Sequence, residues 1–186
     1  MLRNIQSKIY QITTLVVVSL LCVVSAASQS DTAESDAYTH HLDGGKLSIK
    51  QPHSSWLVDR DTTTPPVIFA MISPDSAAKT NVQKIDVPGI TLKMIKPMIL
   101  SRLASQVKDF EKISERSFDV EGIDAFEFTC TGIINDITYK NIYMITKPSD
   151  LAYVIKCSAP EKLFKSFETD FRRIIGSVRI LLKAGK

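Results

Sequence analysis

The stretch Ala152–Gly176, AYVIKCSAPEKLFKSFETDFRRIIG, changes its period partway along, and that change decides the fold class. Ala152 to Cys157 is a short apolar run broken only by Lys156, the pattern of a strand inside a sheet. Beyond it Leu163, Phe164, Phe167, Phe171, Ile174 and Ile175 recur at spacings of three and four, which places them on one face of a helix. Lys162, Lys165, Thr169 and Arg172 fall opposite or beside that face. Between the two patterns, Ser158-Ala159-Pro160-Glu161 has the spacing of a capping box, a serine bonding the backbone ahead and a glutamate reaching back. Gly176 is placed to end the helix, and Ser177 to Leu182 fits either a short strand or a helix extension.

Upstream, Asp109–Ser117, Ile123–Thr131 and Ile137–Thr146 read as strands, and short turns at 120–122, 132–136 and 147–150 join them to one another and to Ala152–Cys157. The last three strands should therefore form an antiparallel meander. Leu92, Ile95, Ile99, Leu103 and Val107 have helical spacing, and Pro97 either starts that helix or kinks one that begins near Thr91. Earlier still, Leu47–Lys50, Val67–Ile72 and Val82–Val87 are strand-like runs bracketed by Pro65-Pro66, Pro74-Asp75 and Pro88-Gly89. Strands followed by helices in this order make an α+β domain spanning 46–182.

The remainder of the chain is not domain. Arg3 and Lys8, the apolar run Leu15–Val24 and the small residues Ser25-Ala26 make 1–26 a signal peptide, cut after Ala26. The alternative is an uncleaved anchor through residues 9–27, a span without charge that Gln11, Thr13, Thr14, Ser19 and Ser25 dilute. Lipidation at Cys22 is disfavoured by Ser19-Leu20-Leu21 before it. Residues 27–45, rich in Ser, Asp, Thr, Ala and Gly, are expected to be a flexible leader.

Of 186 residues, 44% are hydrophobic, and the chain beyond Ala26 is long enough for one real core. Met1–Ala26 holds two of the 23 Lys and Arg and none of the 20 Asp and Glu, so the mature chain is nearly neutral. That excludes the dense basic face that a nucleic-acid backbone demands.

The order of these landmarks resembles the PsbP-like superfamily, which includes bacterial DcrB-like envelope proteins. Gly45–Pro52 followed by Trp56 resembles its opening strand, Asn81–Ile85 its second hairpin, Val120–Ala125 the turn into its meander, and Tyr153–Pro160 with Phe164, Phe171 and Ile174–Arg179 its last strand and closing helix. The resemblance implies a central antiparallel sheet of about six strands with helices on both faces. It implies no shared enzymatic activity, since some members are extrinsic photosystem subunits, some bind a Ran-type GTPase and many are envelope proteins. An export signal fits the envelope branch, in the periplasm or cell envelope.

Candidate chemistry is sparse. Cys157 as a nucleophile, in a small hydrolase, needs a base, and the histidines are His40 and His41 in the leader and His53 in a turn. A Cys130–Cys157 disulfide is disfavoured, because two inter-strand spacings of about 4.8 Å put the pair ~9–10 Å apart, beyond the ~7 Å that a disulfide spans between Cα atoms. His40 and His41 with Asp36 and Asp43 lack a fixed geometry for a metal. Glu111, Glu115, Asp119 and Glu121 sit at edges and turns with no apolar pocket to shift a carboxyl. Trp56 and Tyr143 read as packing before they read as a ligand groove.

A partner-binding face is expected around Lys162, Lys165 and Arg172, within a basic C-terminal end that also holds Arg173, Arg179, Lys183 and Lys186. These features favour a non-catalytic binder of another envelope component, with peripheral membrane contact open. No cofactor or metal is expected; a small-molecule or metal-ion carrier is the alternative. Titration of the denatured, unreduced mature protein should find Cys130 and Cys157 as free thiols; their absence would establish a disulfide and overturn the strand order.

Overall fold

The computed structural model describes residues 38–60 and 65–181. The expected signal peptide over 1–26, the alternative anchor over 9–27, Cys22, Lys183 and Lys186 lie outside the described residues. All the strands and helices of the described residues fall within the unit Thr39–Lys186.

Its strands are β1 (Thr39–Leu42), β2 (Leu47–Lys50), β3 (Leu57–Val58), β4 (Val67–Ile72), β5 (Lys79–Asp86), β6 (Lys108–Val120), β7 (Ile123–Ile134), β8 (Ile137–Thr146), β9 (Leu151–Pro160) and β10 (Arg179–Ile180). Helix α1 (Leu92–Gln106) falls between β5 and β6, and α2 (Glu161–Gly176) between β9 and β10. Seven strands form the main sheet, in the order β3-β4-β5-β9-β8-β7-β6, and β1-β2-β10 form a small one. Every strand pairing among the described residues is antiparallel, and β7-β8-β9 is the expected meander.

Strand periodicity divides the core in two. Tyr153, Ile155, Cys157 and Ala159 of β9 join Ile142 and Met144 of β8 in one cluster, which Phe164, Phe171, Ile174 and Ile175 of α2 complete. The alternate residues Ala152, Val154, Tyr143 and Ile145 join Phe126, Phe128 and Cys130 of β7 in a second cluster, against which Ile95, Leu92, Ile99 and Leu103 of α1 pack. Phe128 stacks on Tyr143 with ring centroids 4.8 Å apart, so Tyr143 is packing. Trp56 is packing too: it meets Phe171 at 6.2 Å edge-to-face and donates its indole N–H to Asp170 Oδ2 at 3.2 Å.

Four features differ from expectation. The sheet has seven strands, not about six, because the short β3, which pairs with β4, adds an edge that the sequence did not suggest. Thr39–Gly45, expected in the leader, is β1 and a 3-10 turn. Its polar residues are held by the ladder to β2 and by Asp43, which accepts from Tyr153 Oη at 2.6 Å and pairs with Lys84 at 2.7 Å. No capping box forms, since Pro160 takes the N-cap position without a side-chain bond. Ser158 instead stays in β9 and donates to Asn141 Oδ1 at 2.7 Å. Helix α1 takes the second of its two expected starts, with Thr91 as N-cap and Pro97 inside it, but Val107 is its C-cap rather than part of its apolar face.

Phe171 has no exposed surface and touches three other rings, so Phe171→Ala should cost about 3–5 kcal/mol in urea unfolding. A comparable loss in the exposed Lys165→Ala control, expected within about 0.5 kcal/mol of wild type, would refute that assignment.

Candidate functional site

Strand β7 alternates apolar and polar residues, and Glu127 occupies a polar position that ordinarily faces water. In the fold it faces the α2 side of the sheet and is 4% exposed. Two guanidiniums compensate for the lost hydration. Arg116, its register partner across the β6–β7 hairpin, donates to Oε2 at 2.9 Å, and Arg172 of α2 donates to Oε1 at 2.5 Å. Burial alone would push the Glu127 carboxyl up, but the two arginines outweigh it and hold it below the ordinary carboxylate range. The same pair raises Arg116 further above its ordinary value.

The arginines face a cleft of about 280 Å³ between the tip of the β6–β7 hairpin and the C-terminal end of α2. Phe118, Val120, Ile175 and Val178 give it an apolar lining, and Arg116, Arg172 and Arg179 bring three cations to it. Each cation is held in place. Arg116 lies 5.1 Å over the Phe118 ring. Arg179 pairs with Glu121 at 3.2 Å and donates to the carbonyls of Gly176 and Val178 at 2.9 and 2.8 Å. The hairpin tip is shaped by positive φ at Glu121 and Gly122, with Asp119 Oδ1 accepting from the Gly122 amide at 2.8 Å.

Of the residues expected on a partner face, only Arg172 enters this cleft. Lys162 and Lys165 are exposed in the first half of α2, ten and seven residues before Arg172, or about 15 and 10 Å along a helix. Lys165 pairs with Glu168 at 3.2 Å. Glu127 was not among the sequence candidates, and Arg179 stood there only as part of the basic C-terminal end. The Arg116–Glu127 pairing depends on a two-residue loop, Glu121-Gly122, that sets Val120 opposite Ile123; counting outward from the expected three-residue turn at 120–122 sets Arg116 opposite Phe126 instead.

The cysteines are free and buried on strands that both flank β8. Burial pushes the Cys130 thiol up to about 11 and the Cys157 thiol up to about 12, with Thr80 Oγ1 donating to Cys157 Sγ at 3.4 Å. Both therefore stay protonated at neutral pH, the form that does not attack. His40 contacts Gln51 at 3.3 Å and the Phe69 ring at 4.7 Å. His53 joins Ser55 Oγ at 2.5 Å to Asp170 Oδ2 at 3.1 Å, fastening an exposed turn to α2. Among the described residues, no group of three or more His, Cys, Asp or Glu is placed to hold a metal ion. Glu115 is held at about 2 by Lys112 and Lys96.

A larger cleft, about 570 Å³, opens at the start of α1. Its cation, Lys147, is engaged by the Ser149 carbonyl and lies 3.9 Å from Asp150.

Comparison with known proteins supports the fold. No family model matches the chain, and no curated protein matches it in sequence. In structure it is similar to cyanobacterial PsbP (CyanoP) of Synechocystis sp. PCC 6803, with a TM-score of 0.58 at 13% identity over 73% of this chain and 87% of that one. LpqN of Mycobacterium tuberculosis, described as involved in cell envelope biogenesis, gives 0.57 at 12% identity over 75% and 87%. A Pseudomonas aeruginosa protein of unknown function, described as a putative regulator, gives 0.54 at 9% over 80% and 97%. The chain has the PsbP-like fold.

Because Glu127 ionises more readily in the fold than in the unfolded chain, its contribution is full above the ordinary carboxylate range and is lost as pH falls through its lowered value. Glu127→Gln should lower stability at pH 7 by about 1–3 kcal/mol and flatten the acid limb of the stability profile. An unchanged acid limb, followed by urea unfolding from pH 7 to 3, would show that other carboxylates carry it.

Proposed function

We propose that this chain is an exported, non-catalytic envelope protein that binds another envelope component through the arginine cleft. One observation carries the reading: a buried carboxylate orients two arginines toward a cleft with an apolar lining. Orienting guanidiniums before a ligand arrives reduces the entropy lost on binding, and arginine suits planar anionic groups. The N-terminal export pattern supports the location. So does the fold shared with LpqN, whose own description concerns the cell envelope.

The basic face first expected at Lys162, Lys165 and Arg172 becomes, in this reading, a site centred on Arg172, Arg116 and Arg179. The two lysines lie outside it. Affinity capture from crosslinked envelopes with the tagged full chain tests the assignment. The Arg116→Gln, Arg179→Gln double variant should lose a partner that the Lys162→Gln, Lys165→Gln variant retains. The reverse result would move the site to the outer face of α2, and capture indifferent to both pairs would remove the cleft from function.

A further inference from the structure

We infer that the outer face of helix α1 rests on a lipid surface that carries anionic headgroups. The inference is independent of the arginine cleft, which lies at the end of α2, while α1 packs on the other core cluster. Helix α1 is apolar on two sides. At about 100° per residue, Leu92, Ile95, Ile99 and Leu103 form the side that meets the core. Met94, Pro97, Ser101 and Ala104 fall on the opposite side with Met98 at its margin, and all five are exposed. Met94 is 53% and Met98 56% exposed, one turn apart. A helix whose outer side meets only water carries its charges there. In α1 the charges flank the strip instead, Lys93 along one margin and Arg102 along the other.

Charge names the surface. From Val87 to Lys108 the chain has four cations, Lys93, Lys96, Arg102 and Lys108, and no Asp or Glu. Lys96 and Lys112 share the single carboxylate of Glu115, which leaves one positive charge over. Lys93 and Arg102 are exposed and have no carboxylate partner among the described residues, and Arg102 donates to the neutral Gln106 at 3.3 Å. Lys108 is followed by Asp109 and adds nothing to the count. Three uncompensated positive charges thus border an apolar strip. Long basic side chains in that position hold their ends at headgroup phosphates while their stems and the methionines enter the acyl boundary. Flexible methionines suit a fluid surface, which offers no fixed pockets. With 15 residues and three cations, α1 falls short of the about 20 apolar residues that a span needs, so it lies in the plane of the surface.

Methyl NMR of the full chain reads this contact, because the five methionines include these two and Met71 and Met144, which have no exposed surface. The chain, isotope-labelled at its methionine methyls, is titrated with nanodiscs of phosphatidylcholine and phosphatidylglycerol in equal parts that carry a nitroxide-labelled lipid. Met94 and Met98 should broaden well beyond Met71 and Met144. Comparing methyls within one chain reports on α1 whatever else holds the chain to the disc. Discs of phosphatidylcholine alone, or about 1 M salt, where the screening length falls to ~3 Å, should remove the difference. The Lys93→Gln, Arg102→Gln double variant should raise the lipid concentration for half-maximal broadening about 25-fold, a factor of ~5 for each cation withdrawn. Ser101→Glu, which sets a carboxylate in the strip and keeps both reporters, should abolish the broadening with little change in melting temperature.

Equal broadening in neutral discs, or broadening indifferent to Lys93 and Arg102, overturns the anionic surface. Sharp Met94 and Met98 signals in the anionic discs overturn the lipid contact altogether. Lipid-free shifts of Met94 and Met98 that grow with protein concentration assign the face to a second copy of the chain and overturn the inference as well.

Discussion

The removal of Glu127 from water is the constraint on which the arginine-lined end of the molecule depends. A carboxylate beneath a helix cannot remain charged without partners, and the two it acquires come from different elements, Arg116 from β6 and Arg172 from α2. The contact therefore fixes the last turns of α2 against the β6–β7 hairpin. The cleft is the space that this arrangement leaves between them. Thr129 and Thr131, buried on the same side of β7, continue the polar strip toward the other end of the strand.

Around that anchor the two clusters have different densities of burial. Helix α2 contributes four buried side chains, and its aromatic residues interlock with Trp56. Its C-terminal end is tied down a second time by Ser177, whose hydroxyl accepts from the Lys50 amide at 2.9 Å and donates to the Ile174 carbonyl at 2.6 Å. Helix α1 buries only Ile95 and leaves Met94 and Met98 more than half exposed. The arginine cleft thus sits at the end of the more rigidly held helix. A binding site gains from that placement, because side chains on a fixed element lose less freedom when a ligand arrives.

Much of the architecture was legible along the chain. Val67–Ile72 and Ile137–Thr146 have the boundaries their composition predicts, and the apolar face of α2 follows from Phe164, Phe171, Ile174 and Ile175 alone. What misled was local. Ser158-Ala159-Pro160-Glu161 has the letters of a cap, but β9 continues through Pro160 because its ladder to β8 runs to Tyr139↔Pro160. The segment Thr39–Gly45 has the composition of a leader, yet pairing with β2 and the bonds to Asp43 order it. Neither partner of Asp43 is its neighbour in the chain, since both Lys84 and Tyr153 come from the main sheet.

The candidate site shows where each level of information ends. Sequence by itself determined the α+β class, the meander and the apolar face of α2. Those properties are periodic or local, set by side-chain alternation and by turns of a few residues. Only the tertiary structure decided that Glu127 is buried, that Arg172 turns inward while Lys162 and Lys165 stay in water, and that Arg179 closes the same cleft. Arg172 lies 45 residues from Glu127, and their contact is set by how a helix packs on a sheet, which no pattern along one strand or one helix encodes.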